Sequence, residues 1–79
     1  MDEKHLVEKT AEGVFSRMRL DWVVAAVREN LRSQTWDVEV QVPDGSELIL
    51  CVPFGSPREI KKALLQQTEE EMDRLSSHR

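Results

Sequence analysis

Cys51 and the two histidines, His5 and His78, are the side chains of this chain best suited to nucleophilic or metal chemistry. An activated nucleophile needs a base within hydrogen-bond reach, and the histidines lie at opposite ends, in terminal segments expected to be mobile. Cys51 is flanked by Leu50 and Val52 and reads as a small apolar strand residue, not a reactive thiol. A lone cysteine allows no internal disulfide, and two distant histidines lack the ligand spacing of a zinc site. Carboxylates are plentiful but scattered like surface decoration. Two catalytic carboxylates need an enclosed cleft to drive their pKa values apart, and so short a chain has little volume for one. Gly13, Gly45 and Gly55 stand singly, which excludes a phosphate-binding loop and a dinucleotide fingerprint. The residues therefore predict no catalytic site, no metal site and no cofactor: the chain is expected not to be an enzyme.

Binding chemistry is the next class. The formal net charge of −4 and a pI near 5.1 argue against a general nucleic-acid binder, whose phosphate contacts need a positive field. Charge alternates in blocks along the chain, the pattern of ordinary solvated faces. Arg17, Arg28 and Arg32 nevertheless fall within a sector of roughly 60° if one helix carries all three. Arg19, Arg58, Lys61 and Lys62 extend that patch, while Asp21 shares the sector and no aromatic platform accompanies it. A nucleic-acid contact through these residues is the second functional reading, and its mark is an affinity that falls steeply with salt. Ser56 to Glu59 reads as a helix cap rather than an anion site, because Glu59 competes for the free amides.

The elements that must position any site are clearest from Trp36 to Glu59. Trp36, Val38, Val40 and Val42 alternate with Asp37, Glu39 and Gln41, the period of a strand with one wet face. Pro43-Asp44-Gly45 supplies a turn, and Glu47 to Val52 the returning strand. Leu48, Leu50 and Val52 are expected on the buried face with the valines, and Ile49 and Cys51 on the other. Ser56 then acts as N-cap, Pro57 takes the first helical position, and Glu59 closes a capping box. The final helix is expected from Pro57 to about Leu75, with Ile60, Leu64, Thr68, Met72 and Leu75 as its stripe and residues 76–79 frayed.

The first third is helical in composition. Val7, Ala11, Val14, Phe15 and Met18 share one helical face, whereas Leu20, Val23, Val24, Val27 and Leu31 form a stripe rotated from it by roughly 140–180°. Either the helix breaks near Arg19 to Asp21, with a second helix over Asp21 to Arg32, or one long helix is buried on both faces. A third reading places a short strand over Val14 to Leu20, where residues also alternate. The expected fold is α+β in one small domain over residues 1–79: an N-terminal helical region of one long or two short helices, an antiparallel β-hairpin and a C-terminal helix.

Two arguments point to a partner. At 79 residues one core supplies only roughly 3–5 kcal/mol without a staple. An isolated two-stranded ribbon is marginal, and edge pairing across a two-fold axis would turn two hairpins into a four-stranded sheet. The leading functional reading is a non-enzymatic protein-interaction or regulatory module acting as a homodimer, with Met18, Trp22, Ile49, Leu65 and Met72 as candidate interface residues. No apolar run is long enough to span a membrane, and Met1-Asp2-Glu3-Lys4 does not open like a signal peptide, so a soluble, cytoplasmic protein is expected.

Overall fold

The computed structural model describes residues 3–77, which form a helix, three strands and a second helix: α1 (Glu3–Arg17), β1 (Val23–Asn30), β2 (Thr35–Gln41), β3 (Glu47–Pro53) and α2 (Pro57–Ser77). The strands make one antiparallel sheet in the order β1-β2-β3. Both helices cover the same face: α1 lies over β1 and reaches β2, α2 lies over β3, and the helices touch each other. The α+β class, the hairpin and the final helix are as the sequence implied.

The region before the hairpin differs. The stretch expected to be a second helix, Asp21 to Arg32, contains β1, and α1 ends at Arg17. There is neither one long helix nor a pair, and the third strand lies later than the Val14 to Leu20 stretch considered for it. Two local features explain the change. Arg19 adopts a left-handed conformation, φ 58°, and the amides of Leu20 and Arg19 donate to the carbonyls of Phe15 and Ser16 at 2.8 and 3.1 Å. This is a Schellman stop, with Arg19 where glycine is usual and Leu20 packed back against the core. Within β1 the register slips between Val24 and Ala26, so Val24 opposes Val40 and Val27 opposes Val38. The bulge puts residues three apart on one face, imitating the spacing of a helix.

Since a non-glycine left-handed residue is strained by about 1–2 kcal/mol, Arg19→Gly should stabilise the fold by about 0.5–1 kcal/mol, read as a higher urea midpoint with unchanged slope.

The core is built from α1 (Val7, Ala11, Val14, Phe15), the sheet (Val27, Trp36, Val38, Val40, Leu48, Leu50, Val52), Val42 after β2, and Ile60 and Leu64 of α2. Every residue assigned to the buried face of the hairpin is there. Val27, Val38 and Leu50 lie side by side across all three strands. The turn closes as expected: Gly45 takes φ 93°, its amide donates to the Val42 carbonyl at 3.0 Å, and the Val42 amide donates to Ser46 at 3.1 Å. Asp44 accepts hydrogen bonds from the Ser46 amide and hydroxyl, which hold its carboxyl below the usual range. Whatever this contributes is complete above the ordinary carboxylate pKa and is lost as pH falls through the lowered value.

The capping box also forms. The Glu59 amide donates to Ser56 Oγ at 3.3 Å, and the Ser56 amide and hydroxyl donate to Glu59 Oε1 at 3.3 and 3.0 Å. The helix continues to Ser77, two residues past its expected end, and His78 and Arg79 lie outside the described residues.

Thr68 is fully buried, and its hydroxyl, like the Trp36 indole N–H, has no hydrogen-bond partner among the described residues. An unsatisfied buried hydroxyl costs about 1–3 kcal/mol. Thr68→Val keeps the shape and removes the orphan, so thermal unfolding should show a gain of about 1 kcal/mol.

Candidate functional site

With both helices on one side, the opposite face of the sheet faces solvent. Across it run Val23, Gln41 and Glu47, then Ala26, Glu39 and Ile49, then Arg28, Asp37 and Cys51. Ile49 is 62% exposed in the middle of this face, as its alternation implied. Arg28 pairs with Glu39 at 2.8 Å, a mostly solvated bridge worth about 0–1 kcal/mol. The Cys51 thiol has its pKa raised, first by partial burial and then by the carboxylate and hydrogen bond of Asp37 opposite. Few thiolates form at neutral pH as a result.

The two edges of the sheet are treated differently. On β3 the Cys51 amide donates to Gln67 Oε1 at 2.8 Å, and the Gln67 side-chain amide donates back to the Cys51 carbonyl. A side chain of α2 therefore occupies the edge as a neighbouring strand would. Pro53, two residues on and pointing the same way, has no N–H to offer. The two hairpin strands are therefore not both open edges: β2 is central, and Gln67 adds to Pro53 in guarding β3.

Among the described residues no side chain bonds the opposite edge in this way. Backbone polar groups alternate sides along a strand. Because Cys51 faces α2, Leu50 faces β2, and Asp37, opposite Cys51, faces β1. Arg28, opposite Asp37, then faces β2, so Val27, only 4% exposed, and Glu29, which is exposed, direct their N–H and C=O groups away from β2. Only the bulge near Ala25 interrupts this edge, and it leaves Ala26 to Asn30 regular.

Removing the guard should be measurable. Gln67→Ala should cost about 1–2 kcal/mol in urea denaturation and speed hydrogen exchange at the Cys51 amide. An unchanged exchange rate there would mean that Gln67 does not close the edge.

The remaining candidates scatter. Trp22 packs edge-on against Phe15, with centroids 5.3 Å apart, and Met18 also lies half-buried against the core. Leu65 and Met72 are half-buried on α2. The arginine sector required a continuous helix and does not exist: Arg17 ends α1, Arg28 lies on the open sheet face, and Arg32 is in the β1–β2 turn. Arg17 and Lys61 do converge, on a groove between α1 and α2, while Arg19, Arg58 and Lys62 are exposed outside its lining. Gln67 and the edge strand β1 were missed. A glutamine amid a polar helical stretch carries no signal of its role, but the β-branched run at Val23-Val24 and Val27 did signal a strand.

Among the described residues no three His, Cys, Asp or Glu side chains cluster in a way that would hold a metal ion, and no helix is long and apolar enough to cross a membrane. His5 is exposed on α1. No family model, curated protein or solved structure matches the chain.

Proposed function

We propose that this protein is a non-enzymatic interaction module that works as a homodimer, joined through the β1 edge. The observation that carries this reading is the asymmetry of the sheet: Gln67 and Pro53 close the β3 edge, whereas on the β1 edge exposed Glu29 and nearly buried Val27 direct backbone groups away from β2 with no side chain bonded to them among the described residues. Natural sheets blunt exposed edges that have no partner. A closed edge opposite an open one fits a chain that pairs on one side only. Each subunit brings three strands, so the joined sheet has six, not the four expected from hairpins alone.

Charge selects the register. With Val27 and Glu29 as the outward-facing residues, a two-fold axis can fall at Arg28, at Val27 or beyond at Glu29. The first sets Arg28 against Arg28 and the last Glu29 against Glu29, both unfavourable. An axis at Val27 sets Ala26 against Arg28 of the partner subunit and brings no like charges opposite. The uncovered face of the six-stranded sheet, with Ile49 and the surrounding carboxylates, is then the surface presented to a further protein. An exposed free thiol at Cys51 suits a reducing cytoplasm.

Sedimentation equilibrium over a concentration series tests the reading. A monomer–dimer isotherm supports it, and a strict monomer at high micromolar concentration contradicts it.

A further inference from the structure

The groove between α1 and α2 is unrelated to the sheet edge. It has a volume of about 380 Å³, with Thr10, Gly13, Val14 and Arg17 on the α1 side and Lys61 and Leu65 on the α2 side. Three properties set it apart. First, the charged groups that line it among the described residues are two cations, in a chain of net charge −4. Second, neither Arg17 nor Lys61 makes an ion pair among the described residues, although Asp and Glu outnumber Lys and Arg by 15 to 11. Third, Gly13 lies inside a helix with no positive φ and no crowding neighbour: a Cβ there would meet nothing within 4 Å.

The glycine is the informative residue. In a helix interior it is less favourable than alanine through its backbone freedom, and here neither packing nor conformation demands it. Its effect is to leave bare backbone in the wall of a groove flanked by cations. We propose that this groove binds a small organic anion, whose phosphate or carboxylate lies between the Arg17 guanidinium and the Lys61 ammonium and whose short apolar body rests on Gly13, Val14 and Leu65. The Thr10 hydroxyl is already donated to the Leu6 carbonyl at 2.7 Å, so recognition of charge falls to the two cations. The volume is at the small end of the range for ligand pockets.

Phenyl phosphate and hexanoate, one head group each on an apolar body, are the probes, followed by two-dimensional amide NMR on the full chain. At least one should give saturable shifts confined to the lining residues, and the preferred head group identifies the ligand as phosphate or carboxylate. Arg17→Gln should weaken that binding about tenfold or more, as expected for a charge-assisted contact. Gly13→Leu should do the same by filling the cradle. Leucine is the better helix former and has open space at this position, so lost binding in a variant at least as stable as the parent is not unfolding. Absence of saturable shifts with both probes, or undiminished binding by the two variants, overturns the proposal. Shifts at the groove seen only with a DNA or RNA duplex, with a steep salt dependence, also overturn it and assign Arg17 and Lys61 to a phosphate-backbone contact.

Discussion

Truncating Phe15 to alanine should remove about 3–5 kcal/mol of folding free energy, the usual cost of deleting a buried aromatic ring. Phe15 is 1% exposed, meets Trp22 edge-on with its ring, and accepts the Leu20 amide with its carbonyl. It therefore joins α1, the Schellman stop and the entry to β1. At about 0.05–0.15 kcal/mol per residue, a chain of 79 residues has about 4–12 kcal/mol in total, so this one change consumes a large part of it. Urea titration followed by tryptophan fluorescence gives the number directly, since Trp22 and Trp36 both pack on the core. A loss below about 1 kcal/mol, the range of surface substitutions, would mean that α1 does not seat on the sheet as described.

The second large effect concerns association. Glu29→Pro removes the outward N–H of Glu29 and leaves an exposed side-chain position otherwise unburdened. Proline is tolerated on an edge strand where its missing donor faces solvent, so the monomer should lose no more than about 1 kcal/mol. In the register centred on Val27, Glu29 stands opposite Ala25 of the partner subunit, beside the bulge, so the proline acts on the proposed dimer mainly as a steric block, and the dissociation constant should rise about tenfold or more, roughly 1.4 kcal/mol. Sedimentation equilibrium and urea denaturation, run on the same variant, separate the two outcomes. Weakened folding with unchanged association would place the subunit contact elsewhere.

The hairpin, its turn and the capping box were legible because each is specified by residues adjacent in sequence: Pro43-Asp44-Gly45 for the reversal, Ser56 and Glu59 for the cap, alternating valines for the buried face. The β1 strand was signalled only by its β-branched valines and was masked by its spacing, for a physical reason. Its bulge spaces Val24 and Val27 three apart on the core face, which is also how a helix presents its stripe. The stop at Arg19 was equally hidden, because a left-handed cap usually announces itself with glycine. The Gln67 edge contact joins residues distant in sequence through a side chain with no local role. The groove is a product of helix packing, and only the glycine without a turn to make hinted at it.

In the proposed dimer two copies join through β1. The most direct test mixes isotope-labelled and unlabelled chains and records only contacts between subunits. Contacts are expected between β1 of one chain and β1 of its partner, centred on Val27, with Ala26 near Arg28 of the partner subunit. Intersubunit contacts that map to the helices or to β3, or no such contacts at millimolar concentration, would contradict it.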